Sequence, residues 1–139
     1  IINVGQCIIY INNKSKILEI NDRLLKDNFP VSYITGDRNS EERKQIMDDF
    51  RSGQIRILLS TDLLSRGIDI QQLSLVINYD LPKEKEVYIH RIGRSGRYGR
   101  KGVAINLITD REVEDLKYIE SFYDTKINEM PENIGDYLN

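Results

Sequence analysis

The sequence holds a single cysteine, Cys7, and a single histidine, His90. One thiol forms no internal disulfide, and one thiol with one imidazole builds no zinc site and no multi-histidine metal centre. No metal ligand is expected within the chain. No apolar run approaches the length of a membrane span, and no secretory signal pattern is present, so an intracellular setting, cytoplasmic or nuclear, is expected and a membrane partner is not. No G-x-x-x-x-G-K-[ST] occurs, so the loop that cradles nucleotide phosphates is missing. No acid-rich strand end is available for magnesium. Neither sign of charge dominates: 20 basic and 22 acidic residues give a net charge of -2, which excludes a polybasic tail. What remains is 139 residues, 40% hydrophobic and 30% charged, enough to bury the core of one domain. The chain begins with Ile1 rather than Met, and the expectation is a single domain, 1–139, cut from a longer protein.

Short apolar runs alternate with helical patterns. Residues 7–11 (CIIYI) are fully apolar, as in a parallel strand buried on both faces. Over 14–27, Ile17, Ile20 and Leu24 recur at helical spacing. Pro30 interrupts the pattern, and 31–34 reads as a second strand. Asn39 with Glu42 resembles a capping box, Ile46, Met47 and Phe50 give the next helix its apolar face, and Gly53 suits its end. Residues 55–60, 73–79 and 103–108 are three further strands. Pro82 suits a helix start. Thr109 with Glu112 is a second capping box, before a helix with Val113, Leu116, Ile119 and Tyr123 on one face. From about Asn128 the chain reads as an irregular tail. This alternation predicts right-handed crossovers and one α/β domain with a parallel sheet covered on both faces. In such sheets ligands gather at the carboxyl ends of the strands. The loops at 12–14, 35–38, 61–62 and 79–80 then share one edge, the candidate functional surface.

Charge is unevenly spread. Residues 1–109 carry 17 basic and 13 acidic side chains, whereas 110–139 carry 3 and 9. Residues 87–109 hold Arg91, Arg94, Arg97, Arg100 and Lys101 and no acid. Such a patch is a footprint for phosphate-bearing ligands or, more plainly, a solvated surface run. The acidic end reads as a solvated helix face. Within the basic run, glycine recurs at 93, 96, 99 and 102; four repeats without proline do not make collagen. Glycines free the backbone to turn, and guanidinium forks match phosphate oxygens. Two readings stand for Arg94 and Arg97: a phosphate clamp, or a flexible basic turn. Residues 60–69 (STDLLSRGID) could hold a nucleic-acid backbone through hydroxyl, amide and guanidinium groups, with Asp69 on a ribose hydroxyl; as a bare pattern they are a capped turn with Asp62 and Asp69 as N-caps. Residues 34–38 (ITGDR), with Arg43 beyond, are by themselves only a turn signal. A phosphate clamp without the missing parts cannot hydrolyse ATP alone, but it could complete a site on another domain.

Taken together, these segments resemble the second RecA-like domain of the DEAD-box RNA helicases, most nearly the eukaryotic initiation factor 4A branch. The stretch 60–82 (STDLLSRGIDIQQLSLVINYDLP) looks like motif V, and 88–109 (YIHRIGRSGRYGRKGVAINLIT) like motif VI and its following strand. The stretch 6–14 (QCIIYINNK) resembles motif IV, 35–53 the next block, and 122–138 the C-terminal end of that branch. The resemblance implies a three-layer αβα domain with a mainly parallel sheet, and an ATP-binding N-terminal domain that is absent from this chain.

The resemblance also implies roles. Arg94 and Arg97 match arginines that reach the ATP γ-phosphate on domain closure. Asp69 matches an acid that positions the nucleotide, and His90 a residue linking motif VI to the first domain. Thr61 and Arg66, with Asn12, Gly36 and Arg38, match contacts to the RNA backbone. ATP is the implied cofactor, with Mg2+ held by the missing domain. Implied partners are single-stranded or short duplex RNA, the N-terminal domain, and a helical-repeat scaffold of the initiation factor 4G kind. The implied activity is that of an ATP-dependent RNA helicase active in translation initiation, splicing or decay, with this piece inactive alone. A non-catalytic RNA- or scaffold-binding adaptor and a related DNA helicase are the alternatives. Thr35, Ser40, Asn13 and Ser65 stand where the family often has histidine, glutamine, threonine and alanine. None of these departures touches an ATP-facing arginine.

Overall fold

The computed structural model describes residues 5–61, 75–82 and 103–132. Five strands, β1 (Cys7–Tyr10), β2 (Val31–Ile34), β3 (Ile57–Ser60), β4 (Leu75–Asn78) and β5 (Val103–Asn106), pair in the order β2-β3-β1-β4-β5, and every pairing is parallel. Helices α1 (Lys14–Lys26) and α2 (Ser40–Arg51) join the first three strands, and α3 (Val113–Phe122) follows β5 after a 3-10 turn at Asp110–Glu112. This is the α/β fold that the alternating pattern predicts.

The apolar runs lack polar alternation because both faces of the sheet are covered. Ile8 and Tyr10 of β1, Ile34 of β2, Leu58 of β3 and Val76 of β4 pack with Ile46, Met47 and Phe50 of α2. Residues one step out of phase, among them Ile9, Ile11, Val31 and Leu59, pack with Ile17, Ile20 and Leu24 of α1. The two helices therefore lie on opposite faces, giving three layers. A smaller cluster seats Ile119 of α3 against Leu81, just beyond β4.

Local chemistry sets the helix ends. Asn13, which periodicity alone does not single out, caps α1 by accepting from the Lys16 amide at 3.2 Å. Asn39 caps α2, accepting from the Glu42 amide at 2.8 Å while its own amide donates to the Glu42 carboxylate. Gly53 lies at φ 86°, a left-handed turn that favours glycine after a helix. Thr109 and Glu112 do make a cap, with the Thr109 amide donating to Glu112 at 3.0 Å, but it opens the 3-10 turn before α3.

Four strands are shorter than their apolar runs at a described end, β4 by stopping at Asn78. The first ends at Tyr10 and the last at Asn106, where Leu107 and Ile108 turn outward. The third begins at Ile57 because the amides of Arg56 and Ile57 both bend to the Pro30 carbonyl, at 2.8 and 3.1 Å. The helix expected from Pro82 lies outside the described residues. None of the described helices is long and apolar enough to cross a membrane.

Cys7 is buried, and burial pushes its thiol up to about 11 from 9.0. The reactive thiolate is therefore scarce until the pH approaches that value. At pH 8 the folded chain should resist alkylation by iodoacetamide and react after unfolding in guanidinium, read by mass spectrometry. Rapid labelling of the native chain would contradict the burial of β1.

Candidate functional site

Because the strands are parallel and in register, their carboxyl ends are level. Tyr10, Ser60, Ile34, Asn78 and Asn106 share one row across the sheet. The segments that follow leave the sheet along one edge, and they carry four of the sequence-predicted RNA contacts: Asn12, Gly36, Arg38 and Thr61. The sheet order adds a switch point. From β1 the chain turns toward β2, whereas from β4 it turns toward β5, and β1 and β4 are neighbours. A crevice between oppositely directed loops is where open α/β sheets bind ligands.

At the switch point the loops are tied together. The Asn12 amide donates to Asp80 Oδ2 at 2.8 Å, and Asn12 Nδ2 donates to the Leu81 carbonyl at 3.2 Å. The amides of Tyr79 and Asp80 return to the Tyr10 carbonyl at 3.0 and 3.4 Å. One step deeper, Asn78 Nδ2 donates to Asn106 Oδ1 at 2.8 Å, binding β4 to β5 through side chains. Thr61 follows β3 directly, its carbonyl accepting from the Ser60 hydroxyl at 2.7 Å.

The loop after β2 is organised more densely. Its backbone closes with the Arg38 amide donating to the Thr35 carbonyl at 3.2 Å. Arg43 of α2 donates to the Gly36 carbonyl at 2.8 Å. The Arg38 guanidinium carbon lies 3.8 Å from the Tyr33 ring centroid, a cation–π contact, and Nη1 pairs with Glu42 at 3.1 Å. Asp37 takes a hydrogen bond from the Thr35 hydroxyl on one oxygen and from Lys14 Nζ on the other, the latter at 2.5 Å. Those two bonds, that from Lys14 first, hold the Asp37 carboxyl down at about 2 from an ordinary 3.8. The folded value lies below the unfolded one, so what this charge contributes is full above about pH 4. It is lost as pH falls toward 2, and it is constant through the neutral range.

Of the sequence-predicted residues, then, the fold brings Asn12, Gly36, Arg38 and Thr61 to one edge. Asp69, Arg66, His90, Arg94 and Arg97 lie outside the described residues, as do the N-caps expected at Asp62 and Asp69. The sequence places Lys14, Asp37 and Asp80 in loops of the candidate surface but gives none of them a role. Their partners lie 23 and 68 residues away in sequence, and a local pattern carries no signal for such pairs. Among the described residues no group of three or more His, Cys, Asp or Glu is gathered as for a metal.

The comparisons with known proteins agree with this fold. The model of the helicase conserved C-terminal domain matches residues 1–99. The ATP-dependent RNA helicase eIF4A of Eremothecium gossypii is 58% identical over 135 residues, 97% of this chain and 34% of that protein. The chain thus spans about a third of the length of the curated relatives it matches. The solved C-terminal domain of the DEAD-box protein Dbp5 superposes with a TM-score of 0.85 at 37% identity, covering 98% of this chain and 80% of that one. S. cerevisiae Dbp5 bound to RNA and ADP BeF3 superposes with a TM-score of 0.90 at 35% identity, covering 99% of this chain and 38% of that one.

Proposed function

The chain belongs to the DEAD-box helicases, as a RecA-like conserved C-terminal domain of the eIF4A-like kind, and from that premise we propose that it is the second half of an ATP-dependent RNA helicase. In this reading residues 1–139 form one domain that closes on an N-terminal ATP-binding domain. One observation supports it above the others: Asn12, Gly36, Arg38 and Thr61 emerge on one sheet edge, in a chain whose family match runs through Arg94 and Arg97.

Asn12, Gly36, Arg38, Thr61 and Arg66 grip the RNA backbone. Phosphate and sugar carry no base identity, so the grip tolerates any sequence, and the 2′-hydroxyl favours RNA over DNA. Arg94 and Arg97 neutralise charge on the γ-phosphate as the domains meet, Asp69 positions the nucleotide, and His90 links motif VI to the first domain. The magnesium ion that accompanies ATP would be held by that first domain. Closure bends a bound duplex and separates it; reopening after hydrolysis releases the strand. The eIF4A likeness extends the reading to a helical-repeat scaffold of the initiation factor 4G kind. That Dbp5 has been solved with RNA and ADP BeF3 supports the RNA and nucleotide parts.

The test is ATP turnover by the intact protein with and without single-stranded RNA. RNA should stimulate turnover, and residues 1–139 alone should show none. RNA binding without turnover would favour a non-catalytic adaptor; turnover that needs DNA and ignores RNA would favour a DNA helicase. Gly36→Ala adds a local check. A Cβ at Gly36 meets nothing within 4 Å and the backbone there is not left-handed, so folding should be unaffected. In the reading above the methyl group takes the space of a phosphate, and half-saturation by RNA should rise roughly tenfold, the loss of about one charge-assisted hydrogen bond.

A further inference from the structure

The bridge between Lys14 and Asp37 joins two segments that are not neighbours in the sheet. Lys14 opens α1 just after β1, and Asp37 lies in the loop after β2, but β3 runs between those strands. The bridge therefore connects the loops on either side of the β3 exit, where Thr61 emerges. Asp37 is its hub. One carboxylate oxygen accepts from Lys14 and the other from the Thr35 hydroxyl, and Thr35 is itself buried at the end of β2. The flanking residues of the same loop are Gly36, where a Cβ would meet nothing within 4 Å and whose carbonyl is held by Arg43, and Arg38, whose guanidinium rests on Tyr33.

An acid on this edge is electrostatically adverse to a polyanion, because each added negative charge opposes phosphate binding. Its half-exposed pair with Lys14 also belongs to the class of surface bridges that add little to stability. Neither net attraction nor folding accounts for a carboxylate placed here with both oxygens engaged. Loop geometry does.

We propose that Asp37 is a positioning residue for RNA binding: through Thr35 and Lys14 it holds residues 35–38 across the β3 exit, in the shape that presents Gly36 and Arg38 to the RNA backbone. This rests on the RNA-binding reading above. Lys14 acts through Asp37, not on phosphate directly. The pair forms a strut, and either member is ineffective without the other.

Charge and geometry predict opposite signs, which makes the test decisive. Fluorescence anisotropy of a short polyuridine strand would be measured on the intact protein for wild type, Asp37→Asn, Lys14→Met and the double variant. Simple electrostatics predicts that D37N tightens binding and steepens its salt dependence, since an acid is lost and an ammonium released. Positioning predicts that D37N weakens binding roughly tenfold. It also predicts that K14M weakens binding to a similar degree, and that the double variant is no worse than either single one. Saturating ATP turnover should be unchanged, so the effect appears in half-saturation by RNA and not in kcat. Thr35→Val, which removes one tie and keeps every charge, should weaken binding too; it carries the test if D37N does not fold. Equal or tighter binding by a folded D37N, or additive effects in the double variant, would overturn the proposal while the RNA-binding reading stands. A wild-type protein that binds no RNA would overturn both.

Discussion

Replacing Arg94 with alanine in the intact protein should lower RNA-stimulated ATP turnover by about three orders of magnitude or more, the scale on which an arginine finger acts. The γ-phosphoryl group spreads developing negative charge over its oxygens, and a planar guanidinium meets two of them at once with a charge that does not titrate away. Arg94→Lys should recover only part of the loss, because an ammonium supplies the charge without the fork. Binding of RNA in the absence of nucleotide should change little, since in this reading Arg94 serves the ATP side of the cleft. Arg97→Ala should be severe as well, and the double variant little worse than either, as groups that serve one transition state are strongly non-additive. Steady-state turnover at saturating RNA, beside RNA affinity without nucleotide, separates these outcomes. Near wild-type turnover in Arg94→Ala would remove motif VI from the chemistry and return 93–102 to a basic turn.

The second large effect is on folding. Phe50 is 1% exposed and lies where α2 meets the sheet, among Ile8, Tyr10, Ile34, Leu58 and Val76. Its carbonyl is also the place where the chain turns out of the helix, accepting from the Gly53 amide at 3.1 Å and from the Gln6 side chain. Phe50→Ala deletes the ring and leaves a cavity in the core. The expected cost is about 3–5 kcal/mol, a large part of the roughly 5–15 kcal/mol that holds a domain together. Guanidinium unfolding should show an earlier midpoint with little change in slope. The control is Leu25→Ala on α1, where the side chain is 50% exposed and the shift should stay within about 0.5 kcal/mol. A small effect at Phe50 would mean that α2 does not seal this face of the sheet.

Much of this molecule is legible in its sequence, and the parts that are legible share a cause. The run 7–11 reads as a buried strand because both of its faces are covered, and that removes any polar alternation. Ile17, Ile20 and Leu24 declare α1, and Ile46, Met47 and Phe50 declare α2, because a helix repeats its core contacts every three or four residues. Asn39 and Glu42 mark the start of α2 because a cap is satisfied within a single turn. Such signals act over a few residues, and strung in order they already imply a parallel sheet with its loops on one edge. The family likeness is legible for the same reason, since it is carried by short runs such as 60–82 and 88–109. The apolar run starts at Ile55 but β3 starts at Ile57, because the Pro30 carbonyl, far earlier in the chain, captures the amides of Arg56 and Ile57.

The chain's own residues thus determine which segments are strands, which are helices, and which loops carry arginine, glycine and acid. Only the tertiary structure decides that β1 lies between β3 and β4, and every cross-loop tie follows from that placement. It sets Asn12 against Asp80, 68 residues away, and it spans β3 with Lys14 and Asp37. Helical and strand periods are properties of a stretch of backbone. The pairing of two loops is a property of the sheet order that brings them together, and no local pattern records it.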